Sequence, residues 1–226
     1  LGLFPVLVGF VLPAGYLAWE AFERIGRHGI SAQLLASVRN TVGVSLAATV
    51  VTLVAGLVLG WSMRLAQGRR RSTGALLALR SGSLGYAVPG TVLAIGLLLP
   101  LAWFDDGANA VLGAFGLEPR MLLMGSAAAL VLAYMARFLA ISAGGVEAGL
   151  ARIPPSLDQA AASLGHAPGA TLRRVHLPLL RPALAAAALL VFVDAMKELP
   201  ATLLLRPLNF ETLATWLYAE ASRGTY

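Results

Sequence analysis

Five stretches of this chain, residues 1 to 19, 41 to 63, 84 to 104, 121 to 143 and 182 to 205, are rich in Leu, Val and Ala and bounded by charges, Gly or Pro. A helix needs roughly 20 mostly apolar residues to cross about 30 Å of hydrocarbon, so each stretch is long enough to span a bilayer. None alternates polar and apolar residues as a barrel strand does. The expected fold class is all-α, a polytopic helical membrane protein with five spans in the lipid bilayer. Composition agrees, since 58% of the residues are hydrophobic and only 12% charged, against about 25% charged in a soluble domain.

The arginines give the orientation. The connection after the second span carries Arg64, Arg69, Arg70, Arg71 and Arg80, whereas the one after the third carries Asp105, Asp106 and Glu118 against Arg120. Positively charged connections stay on the cytoplasmic side, so the first is expected inside and the second outside. The connection between spans four and five, with Arg152, Arg173, Arg174 and Arg181, then lies inside again, as does the opening segment. The arginine run at 69 to 71 reads first as this topology signal, and contact with anionic headgroups or a nucleotide-binding partner is the other reading. A pI of about 10.5 has the same origin. With no soluble domain to carry a basic face, nucleic acid is not an expected partner. Trp19, Trp61, Trp103 and Trp216 fall near span ends, as interfacial anchors do. The sequence opens on Leu, lacks a basic leader and stops soon after Tyr218, so residues 1 to 226 read as one transmembrane domain cut from a longer chain, with no cleaved signal peptide.

One segment does not fit its apolar surroundings: "DQAAASLGHAPGATLRRVHLP", residues 158 to 178. After the turn signal Ile153-Pro154-Pro155, Ser156 is expected to cap a helix over Leu157 to Leu164, with Asp158 near the positive end of its dipole. Gly165 should stop that helix. "HAPGA" makes a turn, a second helix begins over Ala170 to His176, and Pro178 and Pro182 mark the entry into span five. The product is a helix, turn, helix on the cytoplasmic surface. Its alanines at 160, 161 and 162 are small enough to let another protein's surface approach the backbone.

These residues carry a resemblance. Gln159, Ala160, Ala161, three residues, Gly165, nine residues, Val175, one residue, Leu177 and Pro178 resemble the EAA loop of ABC importer permeases, whose pattern is Glu-Ala-Ala, x3, Gly, x9, Ile, x, Leu-Pro. Gln159 stands where the pattern has Glu, and Val175 where it has Ile. The resemblance implies a MetI-like permease bundle whose loop at about 150 to 180 holds a coupling helix that docks on an ATP-binding cassette subunit. Asp158, Gln159, Ala160, Ala161, Ser163, Leu164, Gly165, His166, Leu177 and Pro178 are its implied interface. "SLGYAVPGTVLAIGLLLP" (83 to 100) and "KELPATLLLRPLNFETLATWLYAEAS" (197 to 222) are similar to the second half of fused iron(III) permeases, with thiamine permeases as near relatives. That family has six spans per half, so a sixth is expected beyond the five seen here. The implied function is a multi-pass inner-membrane subunit of a bacterial ATP-driven importer. Its implied partners are a pair of ATPase subunits, an external substrate-binding protein and a second permease half. Ferric iron is the implied cargo, with thiamine or another small solute as the alternative.

Polar residues inside the spans are few. Asp194, Lys197 and Glu198, at spacings of three and four, are expected on one helical face turned into the bundle or a wet cavity, because unpaired charge in lipid is expensive. They either line and gate a translocation path or form a neutralising cluster near the outer end of the helix, close to Pro200. Pro89 and Gly90 interrupt span three, as a hinge or as a fixed packing kink. Gly56 and Gly60 form a GxxxG pair suited to close helix packing. Arg137 is expected near the cytoplasmic end of span four, its long side chain reaching out of the lipid.

The sequence has no phosphate-binding loop and its only lysine is Lys197, so ATP hydrolysis is expected of a partner, with no cofactor held by this chain. There is no cysteine. His28 lies in one connection, and His166 and His176 stand ten residues apart in another, which predicts no metal cluster and two solvated histidines in the loop. An external binding protein, not these residues, would then chelate iron. A membrane-embedded enzyme would need paired catalytic groups, and Asp194, Lys197 and Glu198 have no His or Ser beside them. A secondary transporter would show inverted repeats, which are not visible.

Overall fold

The computed structural model describes residues 3–66 and 85–224, and all regular structure among them is helical. Five helices are long and apolar enough to cross a membrane: α1 (Leu3–Arg27), α2 (Ala32–Ala66), α3 (Gly90–Ala114), α4 (Ala127–Ala151) and, after the short α5 (Pro155–Ser163), α6 (Pro168–Met196). Two short helices follow, α7 (Pro200–Leu205) and α8 (Leu213–Arg223). The expected class and span count hold. The boundaries do not, and each shift has a cause.

Span three was expected to end before Asp105, yet α3 runs on to Ala114. The Asp105 carboxylate is buried but satisfied: its two oxygens accept the backbone N–H groups of Leu123 and Met124, each at 2.9 Å. A buried charge that caps a neighbouring turn does not have to end its own helix. Those same bonds hold the chain non-helical to Ser126, so α4 starts later than residue 121. Span five starts earlier than residue 182 because the second loop helix runs straight into it from Pro168. A π-helical turn over Leu172–His176 lies within α6, just before Pro178. There a regular turn would press the proline ring against the Arg174 carbonyl, so the wider turn accommodates it. The arginine run at 69 to 71 and Arg80 lie outside the described residues.

α2, α4 and α6 form the core of the bundle. Helices in lipid gain little from burying leucine against leucine, so close approach depends on small side chains. α2 supplies a buried ridge: Ser37, Thr41, Ser45, Ala48, Thr52, Gly56 and Gly60. The expected GxxxG pair is thus the last turn of a longer stripe. A Cβ built on Gly56 would come within 2.9 Å of Ser142 Cβ and 3.0 Å of the Ala143 nitrogen, and one on Gly60 within 2.6 Å of Val146 Cγ1. α4 repeats the device toward α6, where a Cβ on Gly149 would meet Leu180 Cδ2 at 2.6 Å. Gly56→Leu should therefore lower the detergent melting temperature through overpacking of about 1–3 kcal/mol. Gly144→Ala should not, because a Cβ there meets nothing within 4 Å. Equal melting temperatures for the two variants would refute the close packing.

α8 closes the start of α2: Leu213 N–H donates to Thr41 Oγ1 at 2.7 Å and Asn40 Nδ2 to the Glu211 carbonyl at 3.0 Å. α1 is different. From Leu3 to Arg27 every residue is exposed, including Phe4, Phe10, Trp19 and Phe22.

Candidate functional site

Two polar assemblies stand out, one at the end of the bundle where α2 and α4 finish and one inside it. The first is built on the loop segment. α5 begins at Pro155, with Pro154 and not Ser156 in the capping position and no side-chain cap bond. Pro at the first helical position is already set at a helical φ and lacks the N–H that would go unpaired, so the cap is dispensable. The end matches expectation. Gly165 takes φ +78°, its N–H donates to the Ala162 carbonyl at 2.9 Å, and the His166 N–H reaches the Ala161 carbonyl at 3.0 Å. This pair of bonds is the Schellman stop.

α5 has two faces. Gln159, Ala160, Ser163 and Leu164 are exposed, Leu164 to 77%. Ala161 is buried against the protein itself, which corrects its reading as an open contact for another surface. Asp158 also turns inward. Arg64, from the last turn of α2, donates to Asp158 Oδ2 from Nε at 3.0 Å and from Nη2 at 2.8 Å. The same guanidinium donates to the Leu150 and Ile153 carbonyls at 2.7 and 2.8 Å, capping the end of α4. His176 Nε2 meets the other Asp158 oxygen at 2.5 Å. His166 and Leu177 are half-buried and Pro178 is exposed.

His176 was expected in solvent, but it is fully buried and packed on Trp61 with ring centroids 4.9 Å apart. The π-helical turn that accommodates Pro178 ends at His176, within α6. Trp61 is therefore a support for this ring, not only an anchor at the span end. Burial alone would push the Asp158 carboxyl up, but hydrogen bonds from His176 and Arg64 outweigh it and hold the group below the usual carboxylate value. A depressed carboxylate adds stability that is present above the unfolded value near pH 4 and is lost only as pH falls through the folded one, so the cluster is intact at neutral pH. Beside it a cleft of about 530 Å³ opens between Trp61, Leu65, Pro155, Ala162 and Pro168.

The second assembly forms where two helices break. α6 ends at Met196 and α7 begins at Pro200, while the extended residue Pro89 (ψ 138°) precedes α3. Glu198 sits in the first break, buried, with its Oε2 3.0 Å from Arg137 Nε. The Nε–H is not aimed along that line, so the contact is an ion pair and not a hydrogen bond. Arg137 Nη1 donates to the Val88 carbonyl at 3.1 Å in the second break. A Cβ on Gly90 would meet Glu198 Oε1 at 2.7 Å and Arg137 Nη1 at 2.9 Å, so only glycine leaves room for the pair. Glu198 Oε1 also accepts the Ala201 N–H at 3.2 Å, and its carbonyl accepts from Thr202 Oγ1 at 2.6 Å. Thr202 in turn shares a 2.5 Å bond with Tyr134.

Two expectations are corrected here. Arg137 does not reach for the cytoplasmic surface, because ten residues into α4 it is about 15 Å from the helix start, and it turns inward to Glu198. Asp194, Lys197 and Glu198 do not share one face, since α6 stops before Lys197. Lys197 is 71% exposed and pairs with Asp194 at 2.7 Å, apart from the buried Glu198. Sequence reasoning missed Arg137 as a site residue, although a lone arginine deep in an apolar run was the available signal. Among the described residues no cluster of His, Asp and Glu could hold a metal ion.

Residues 65–214 match the family of the binding-protein-dependent transport system inner membrane component. The chain belongs to that family. Relatives of this permease include the Fe(3+)-transport system permease protein FbpB 2 of Haemophilus influenzae, 29% identical over 88% of this chain and 35% of the relative. The putative 2-aminoethylphosphonate transport system permease protein PhnV of Salmonella typhimurium is 39% identical over 39% of this chain and 35% of the relative. The trehalose transport system permease protein SugB of Mycobacterium tuberculosis is 29% identical, over 71% and 51%. The chain thus spans about a third of the length of the first two. The crystal structure of a bacterial alginate ABC transporter, in complex with an alginate pentasaccharide-bound periplasmic protein, superposes with a TM-score of 0.70 at 15% identity, over 98% of this chain and 82% of that one. That likeness is one of fold.

Proposed function

We propose that this permease is the conducting subunit of an ATP-driven importer of a bacterial inner membrane. Its implied partners are a pair of ATP-binding cassette subunits, an external substrate-binding protein and a second permease half. The observation that carries the reading is α5: a short helix that keeps Gln159, Ala160, Ser163 and Leu164 free on one face while Asp158 and Ala161 hold the other to the bundle. A helix fixed from behind and open in front is suited to dock in a groove of another protein. The buried pair at Arg137 and Glu198, between two helix breaks, is the part of the translocation path that this chain supplies. Discontinuous helices with inward polar groups are how transporters bring a path through lipid. The exposed apolar α1 meets lipid or the second permease half.

Ferric iron, delivered by the binding protein as substrate, is the favoured cargo, supported by the Haemophilus relative. A phosphonate is the second reading, supported by the Salmonella relative at 39% identity. Full-length permease, reconstituted with its ATPase and binding proteins, should take up labelled ferric iron in the presence of ATP. Uptake without ATP would overturn the class, and uptake of 2-aminoethylphosphonate instead would reassign the cargo.

Orientation has its own test. The chain has no native cysteine. A cysteine at position 166 should be shielded from an impermeant thiol reagent outside intact cells, and one at 117, in the α3–α4 connection, should react. Labelling at 166 from outside would invert the topology and move α5 away from any cytoplasmic ATPase.

A further inference from the structure

α5 has nine residues, and isolated helices shorter than about 12–15 residues are marginal in water. Something must hold it as a rigid lever. Its buried apolar contact is small, since only Ala161 is buried, and the cleft under Ala162 leaves one flank unsupported. What remains is the carboxylate of Asp158. One oxygen takes two donors from Arg64 of α2, and the other takes His176 of α6. Through Arg64 the same carboxylate is joined to the Leu150 carbonyl in the last turn of α4 and the Ile153 carbonyl just after it. Arg64 is 11% exposed and His176 fully buried, while Asp158 itself is 34% exposed at the edge of the cleft, so the two donors are shielded and the carboxylate they share is only partly so.

We propose that Asp158, Arg64 and His176 form a latch that makes α5 move as one body with α2, α4 and α6, so that displacement of the docking helix is delivered to all three core spans. The proposal rests on the importer reading above. It moves Asp158 from the interface to the inside of this chain and makes all three positioning residues: none touches cargo or nucleotide. Geometry decides which side chains serve. Arg64 spreads four bonds over three nitrogens, and lysine at 64, with its three donors on one nitrogen, could not reproduce that reach to Asp158 and both carbonyls. Asparagine at 158 could not accept from Arg64 on one atom and His176 on the other, since one of the two accepting oxygens becomes an amide NH2 group, which donates.

Transmission can be read without knowing the cargo. In the full-length complex, Tyr86→Cys places a thiol on an exposed residue two positions before Val88, whose carbonyl accepts from Arg137 of the inner ion pair. Its labelling rate by an impermeant reagent should change when Mg-ATP and vanadate are added. Asp158→Asn, Arg64→Lys and His176→Gln should each keep the ATPase subunit bound yet reduce that nucleotide-dependent change about tenfold, within the usual range of coupling between sites. The double variant Arg64→Lys with Asp158→Asn should be no worse than either alone, as expected of one shared interaction. An unchanged nucleotide response in the three single variants would overturn the latch. So would loss of the ATPase subunit from all three, because the residues would then build the docking face and not transmit through it. If the parent itself fails to retain an ATPase subunit or to respond to nucleotide, the importer reading fails first.

Discussion

Replacing Glu198 with alanine should cost about 3–5 kcal/mol of stability and abolish uptake, whereas Asp194→Asn should change stability by less than about 1 kcal/mol. The two acids are four residues apart and read alike in sequence, but their surroundings differ. Asp194 is 18% exposed, but its partner Lys197 is 71% exposed, so the charge left when Asp194 is neutralised is not sealed inside the bundle. Glu198 is 6% exposed, and its removal strands the Arg137 guanidinium inside the bundle with, among the described residues, only the Val88 carbonyl to accept from it. It also removes the acceptor of the Ala201 N–H, at the first turn of α7. Glu198→Gln separates these effects: the amide oxygen still accepts from Ala201, so the break keeps its shape while Arg137 loses its counter-charge. Pairing Glu198→Gln with Arg137→Gln should recover part of the lost melting temperature, because no buried charge is then uncompensated. If the pair gates passage, the recovered double variant should still show a reduced maximal uptake rate with little change in apparent affinity. Full uptake by a stable double variant would make the pair structural, and equal costs for Asp194→Asn and Glu198→Ala would refute the separation altogether.

How far such a site is legible in sequence depends on whether its parts are near one another in the chain. Gly165 and the residues before it predict a helix stop correctly, because a Schellman turn is decided within six residues. The spans are equally local, since their signal is an apolar run of sufficient length. Their ends are not: Asp105 looks like the start of an aqueous connection until the amides of Leu123 and Met124 are found on its carboxylate. His176 looks like a loop histidine for the same reason. Its partners are Trp61 and Asp158, more than a hundred residues away in one case, and no periodicity links them. Arg137 and Glu198 are sixty-one positions apart by their numbering, and the glycine that admits them, Gly90, reads in sequence as a kink beside Pro89. Glu198 was legible as a candidate but was given the wrong neighbours, because an i, i+4 argument assumes an unbroken helix and the helix ends at Met196.

At the docking helix, Gly165→Val should weaken binding of the ATPase subunit while Gly165→Asn preserves it, and the contrast is sharper than one based on bulk. A Cβ at residue 165 meets nothing within 4 Å, so size alone is not excluded there by this chain. The constraint is the backbone, at φ +78°. An L-residue in that region costs roughly 1–2 kcal/mol, and a β-branched one is the worst suited, whereas Asn visits it readily. Valine should therefore open the Schellman turn, releasing the His166 N–H from Ala161 and letting Leu164, now 77% exposed, leave its place at the end of the helix. Ala160→Trp tests the face itself. Ala160 is exposed, so the ring should leave the permease folded and inserted but block approach to the backbone, with a loss of at least about 2 kcal/mol, roughly thirtyfold in Kd. Ala161→Arg is not equivalent, because Ala161 is buried and an arginine there would displace α5 from its own bundle. The ordering expected in copurification is Gly165→Asn near the parent, Gly165→Val lower, and Ala160→Trp lowest with an unchanged melting temperature. Retention of the ATPase subunit by Ala160→Trp would mean that the exposed face of α5 is not the surface that docks, and the search for that surface would move to Leu177, Pro178 and the cleft beside Trp61.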